Sequence, residues 1–149
     1  MIFTKISEKY NILNLSSDEN FTYLLDLKKD QKIEAEVIVN HTIAEIKSRI
    51  KLKAVLRENS SLDLQFIVKI PVFAKSTDTF LSFEILNLSK SSHIRIVPSL
   101  EIANNIVKGG HSATIKAINP DEIFFLQSRG LNLKSAKKLI INSFLNDSK

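Results

Sequence analysis

The side chains that could do chemistry in this sequence are few, and they stand apart from one another. There are three histidines, His41, His93 and His111, and no cysteine. Without thiols the chain has no disulfide, no cysteine nucleophile and no thiolate metal site of its own. His41 and His93 each lie beside a turn with no set of neighbours that resembles a metal site, so both are expected in solvent. His111 follows the chain's only Gly-Gly, Gly109-Gly110, in an extended segment. Its own surroundings suggest a buried or edge-strand histidine that hydrogen-bonds backbone. No glycine-rich phosphate loop, paired catalytic carboxylates or nucleophile motif is visible. The expectation is a protein that is not an enzyme, with no catalytic residue and no metal-ligand set.

A second pattern is electrostatic. Between Glu45 and Ala54 every odd position is charged, and the last of these are the cations Lys47, Arg49, Lys51 and Lys53. Such a stripe along a strand could follow a phosphate backbone. Sheets that bind nucleic acid usually add exposed aromatics for stacking, and this face has none, so a solvated strand face is the expected reading. The net charge of +5 is modest, and its lysines are spread along the chain rather than gathered in one place.

The frame that holds these groups is mostly extended. At 149 residues the chain can bury one real core but not two independent ones. The longest apolar runs are a few residues, too short to span a bilayer. The start, MIFTKISEKYNIL, lacks the basic-then-apolar order of a secretory signal, so a cytoplasmic location is expected. Phe21, Tyr23, Leu25 and Leu27 alternate with other residues, as do Ile33, Ala35, Val37 and Val39. Opposite the charged stripe stand Ile46, Ser48, Ile50, Leu52 and Ala54, a period of two that means a half-buried strand. Leu62, Leu64, Phe66, Val68 and Ile70 repeat the pattern up to Pro71. Thr79 to Leu88 changes parity near Phe80-Leu81, which predicts a bulge or a face switch. Ile94, Ile96, Leu100 and Ile102 then resume alternation with Pro98 in phase. Strands recurring about every 14 to 20 residues suit a sandwich or a solenoid, and periodicity leaves both open.

Helical signals begin only at Asn119. Asn119-Pro120-Asp121-Glu122 combines an N-cap, a proline at the first helical position and a glutamate in capping-box register. Gly130 predicts the stop, with Arg129 suited to the negative end of the helix dipole. Asn132 can cap a second helix whose Leu133, Ala136, Ile140 and Phe144 share a stripe. In the first helix Ile123, Phe124, Phe125 and Leu126 leave almost no polar side, so one face can cover the end of a strand stack and another can meet a partner.

The run from Ile106 to Leu145 also carries a resemblance. HSAT, a polar turn, DEIFFLQSRGL and then SAKKLIINSF resemble the C-terminal end of the SufB/SufD proteins, scaffold subunits of Suf iron–sulfur cluster assembly. VPSLEIANNIVKGGHSAT upstream keeps the same order, and the likeness is strong from Ile94 to Phe144. Val55 to Lys90 still resembles the repeating strands of that domain. The resemblance thus covers a C-terminal portion of a longer scaffold, or a minimal relative.

What it implies is specific. The fold would be mainly β, a right-handed parallel β-helix (β-solenoid) over residues 1–118 with a short two-helix region at 119–149, together one structural unit. His111 would lie in the strand that helps pair scaffold subunits, close to where a cluster assembles. Gly109 stands where SufD-like members often have cysteine, and Gly110 and Ser112 stand where SufB-like members have glutamates, so the chain is more like SufD. An iron–sulfur cluster is then expected only with a partner subunit, none being held stably by this chain alone. Partners implied are a SufC-type ABC ATPase, docked through Phe124, Phe125, Leu126 and Arg129 of the helical region, and a SufB/SufD-type scaffold or a second copy. The alternative is a stand-alone structural or adaptor β-solenoid that has lost cluster assembly.

Overall fold

Consecutive strands of this chain do not pair; each pairs with the strand two further on. The computed structural model describes residues 2–3, 6 and 9–146. Its strands are β1 (Ile2–Phe3), β2 (Tyr10–Leu15), β3 (Glu19–Asp26), β4 (Lys32–His41), β5 (Lys47–Leu56), β6 (Ser61–Ile70), β7 (Thr77–Asn87), β8 (His93–Ile102) and β9 (Val107–Lys116). The first sheet has the order β1-β3-β5-β7-β9 and the second β2-β4-β6-β8. Every pairing is parallel. Parallel neighbours need a crossover, and here the crossover is always a strand of the opposite sheet. The result is a β-solenoid of about four turns, which decides between the sandwich and the solenoid.

Alternation then becomes stacking. Phe21, Ile50, Leu81 and His111 stand in one column, as do Tyr23, Leu52, Phe83 and Ala113. On the facing sheet Ala35, Leu64 and Ile96 form a column beside Val37, Phe66 and Pro98. Inside, Phe66 meets Tyr23 and Phe83 edge to face, with ring centroids 6.0 Å and 5.7 Å apart. Burial without a partner pushes the Tyr23 hydroxyl up to about 12. Pro98 is tolerated because β8 is the edge of its sheet among the described residues, where a missing donor costs least.

The corners repeat as well. Asp30 and Asn59 hold φ of 60° and 55°, and Glu45 and Ser76 hold 62° and 57°. Each pair occupies equivalent corners of successive turns. Asn59 Nδ2 donates to Asp30 Oδ1 at 3.0 Å, and the Glu45 and Ser76 amides donate to the Lys75 and Ile106 carbonyls of the next turn at 2.8 Å and 2.6 Å. Left-handed backbone is thus used without glycine at all four positions, at a cost of about 1 kcal/mol each.

One expectation within the strands is corrected. β7 keeps unbroken register with both β5 and β9, so there is no bulge and no face switch at Phe80-Leu81. The parity change has two other causes. Phe80 points outward, with its ring against the place a Cβ would take on Gly110, at 3.1 Å and 3.2 Å. Leu86, also outward, is 1% exposed because a helix covers it.

The helices are α1 (Pro120–Ser128) and α2 (Leu133–Asn146). The Asn119 side chain accepts from the Asp121 amide at 2.9 Å and so caps α1. At the other end the Gly130 amide donates to the Gln127 carbonyl and the Leu131 amide to the Leu126 carbonyl, with Gly130 at φ 91°, a Schellman stop. Asn132 caps α2 by accepting from the Ser135 amide at 2.9 Å. Phe144 of α2 packs on Val55 and Leu86, outward residues of the first sheet. Among the described residues no helix is long and apolar enough to cross a membrane.

Candidate functional site

Two surfaces are left unfinished by this architecture. The first is the open end formed by β8 and β9. No residue of β9 is buried, and His111 is exposed on it, in register with Leu81 of β7. A Cβ on Gly109 would meet Ile102 at 3.2 Å, Leu100 at 3.6 Å and Thr79 at 3.8 Å, so this position faces the solenoid interior. His111 shares that parity and belongs to a rung whose inner side chains are covered by no further turn among the described residues. Ile102, Ile106 and Ile115 are 42%, 54% and 57% exposed along the same end. An edge strand with free backbone groups and apolar side chains is built to pair with another strand. Among the described residues no three His, Cys, Asp or Glu side chains are close enough to hold a metal ion.

The second surface is the helical pair. α1 has no buried residue. Phe124 and Phe125 are 74% and 57% exposed, and Leu126 is half-buried. Arg129 lies with its guanidinium 5.3 Å from the Phe125 ring centroid, a cation–π contact that holds the ring on the surface. The structure therefore gathers Phe124, Phe125, Leu126 and Arg129 on one short helix and sets His111 apart on the edge strand. A cleft of about 750 Å³ between α1, α2 and the sheet takes in Phe125, Leu126 and Phe144. Another, of about 770 Å³ on the opposite side, takes in Phe124, Ile123 and Leu133. The helices do not cap the open end. They lie on the outer wall of the first sheet because Val55 and Leu86 make that wall apolar there.

Two sequence expectations fail at buried polar groups. His41, expected in solvent, is 1% exposed. It continues the inward parity of Val37 and Val39 at the end of β4. Its Nε2 lies 3.1 Å from Ser48 Oγ, which lies 2.7 Å from Thr79 Oγ1, so three polar side chains are linked in a row inside a corner, while His41 Nδ1 is buried without a hydrogen bond. Burial holds the imidazole below its ordinary pKa, offset in part by the Lys69 backbone. The charged stripe is likewise solvated only in part. Arg49 and Lys51 are paired with Asp78 and Glu84 at 3.0 Å and 3.3 Å on the surface. Lys53 is 1% exposed beneath α2, with its ammonium 2.9 Å from the Phe144 carbonyl and 3.6 Å from Glu84. The available signal was the apolar Val55 and Leu86 in an otherwise polar parity.

Comparison with known proteins agrees with this frame. The family description "SUF system FeS cluster assembly, SufBD core domain" matches residues 4–144. An iron–sulfur cluster assembly SufBD family protein of Synechocystis is 39% identical over 77 residues, covering 52% of this chain and 17% of that protein. The iron–sulfur cluster assembly protein SufD of Escherichia coli is 27% identical over 116 residues, covering 78% of this chain and 27% of SufD. The chloroplastic protein ABCI7 of Arabidopsis thaliana is 32% identical over 77 residues, 52% of this chain and 16% of that protein. The matched segments make up a third or less of these relatives. The family match runs through nearly every turn of the solenoid and into α2, and on that ground the chain belongs to the SufBD core-domain family.

Proposed function

We propose that the chain is a non-enzymatic, SufD-like subunit of a cytoplasmic Suf-type iron–sulfur cluster assembly complex. It binds a SufC-type ABC ATPase through α1 and α2, and a SufB/SufD-type scaffold or a second copy through its open end. The observation that carries this reading is on α1, where Phe124 and Phe125 stand side by side, 74% and 57% exposed, on a helix with no buried residue. A helix of this length is marginal alone, and apolar rings left in water cost more than they return unless a partner covers them. The edge of β9 supports the second interface in the same way, through unpaired backbone and exposed Ile115.

The cluster is cargo in this reading. With no thiolate in the chain, His111 and oxygen donors are a set poorly matched to sulfur-bridged iron, so the chain contributes His111 to a site that a partner subunit completes. The same lack of cysteine favours the second reading, an adaptor solenoid that no longer assembles clusters. Co-expression with a cognate SufC-type ATPase and a cysteine-containing scaffold separates the two. A stable complex that yields cluster anaerobically is expected, with no cluster on the chain alone. A complex that forms but never yields cluster would favour the adaptor, and no complex at all would remove both interfaces.

A further inference from the structure

The last turn of α2 is met by a group from another part of the fold. The last four carbonyls of a helix have no partner within it, and the partial negative charge there is usually met by a basic side chain in the final turn. The last turn of α2 has no basic residue. The cation comes from the solenoid instead. Lys53, in the middle of β5, sends its ammonium 2.9 Å from the Phe144 carbonyl. The same ammonium lies 5.1 Å from the Phe144 ring centroid, and that of Lys116, from the end of β9, lies 5.4 Å from it. Glu84, next to Lys53 in register on β7, supplies a carboxylate at 3.6 Å.

A lysine removed from water to this degree would be costly without such partners. Its placement also has a geometric consequence. Phe144 and Ala136 are the buried residues of α2, and α1 has none, so the direction of the whole helical pair depends on how the last turn of α2 is seated. The apolar contacts of Phe144, with Ile141 and Leu145 beside it, hold α2 to the wall at Val55 and Leu86 but, being non-directional, leave the seating of its last carbonyls unspecified. A hydrogen bond from a fixed strand to one chosen carbonyl does not.

We propose that Lys53 is a positioning residue, which fixes the last turn of α2 on the solenoid wall and thereby sets the direction in which α1 presents Phe124 and Phe125. The part concerning presentation rests on the docking reading above; the fixing of α2 does not. Amide hydrogen exchange on the full chain tests the second point and ATPase binding the first. Lys53→Met keeps the length and removes the charge. It is expected to speed exchange across α2 by about tenfold or more while amides of β6 and β7 exchange as in the wild type. Lys53→Arg should restore slow exchange. Unchanged exchange in α2, or equal acceleration in solenoid and helices, would overturn the proposal. Should Lys53→Met not fold, Lys53→Gln is read by the same two criteria. Titration with the cognate ATPase should then show affinity lost in Lys53→Met by about tenfold and recovered in Lys53→Arg. Equal affinities with a loosened α2 would overturn the role in presentation. A wild-type chain that binds no ATPase would instead overturn the docking reading, and the exchange comparison would still decide whether Lys53 fixes α2.

Discussion

Phe66 and Phe124 place one kind of side chain in two settings. Phe66 is 0% exposed, held edge to face between Tyr23 and Phe83, whereas Phe124 is 74% exposed on a helix with no buried residue. Burying a phenylalanine contributes about 1.5–3 kcal/mol, so the solenoid has realised that stabilisation and α1 still holds it in reserve. The two regions also differ in how they are tied together. In the solenoid the inner strand residues have equivalents above or below them in register; the helical pair meets the wall through Phe144, Lys53 and the flanking Ile141 and Leu145. The first region buries its apolar side chains in register, and the second leaves two aromatic rings uncovered.

The largest effect that could break this contrast is a charge in the core. Leu64→Asp, at a position 0% exposed, should unfold the chain, since an unpaired buried charge costs several kcal/mol against a total of about 5–15. Circular dichroism would show loss of the β signal, and a folded Leu64→Asp protein would mean that the columns are not the source of stability. Next comes the paired comparison. Phe66→Ala should cost about 3–5 kcal/mol in denaturant unfolding and Phe124→Ala less than about 0.5. Similar losses in the two would place α1 inside the cooperative core.

These contrasts follow what the sequence made legible. Period-two alternation marked the inner columns, and the Asn119, Gly130 and Asn132 caps marked both helices, because each signal depends on neighbours a few residues away. The resemblance, rather than periodicity, separated solenoid from sandwich, since the relevant pairings lie about 30 residues apart in register. His41 and Lys53 were misjudged for one physical reason: whether a polar residue at a strand end or on an outer face meets water depends on what another part of the chain lays over it. The parity change at Phe80-Leu81 was seen correctly, but its cause was the docking of Phe80 on Gly110 and of α2 on Leu86. His111, Phe124 and Phe125 were singled out by the sequence, and the roles proposed for them rest on partners that lie outside the chain.

A smaller effect sharpens the comparison through pH. His41 is buried in the solenoid with its pKa depressed from a normal value near 6.5, so the folded state resists a proton that the unfolded state accepts. Stability should therefore be full above about pH 6.5 and fall as pH drops below it, towards the depressed native pKa. His41→Gln should flatten the dependence between about pH 5 and 7, read from urea midpoints, and an equal slope in this variant would remove His41 as its source. The smallest effect concerns the corners. Ser76→Gly relieves the left-handed strain at φ 57° and should raise stability by about 0.5–1 kcal/mol in the same measurement. A loss of stability would show that the Ser76 side chain contributes more than its backbone costs.

The docking role proposed for α1 predicts that its rings matter to binding of a cognate SufC-type ATPase and not to folding. Calorimetric titration of wild type, Phe124→Ala and Phe125→Ala, each with a thermal melt alongside, is expected to show melting unchanged and affinity reduced by about tenfold or more in at least one variant, since exposed aromatics that become buried tend to dominate an interface. Undiminished affinity in both variants, with folding intact, would contradict it.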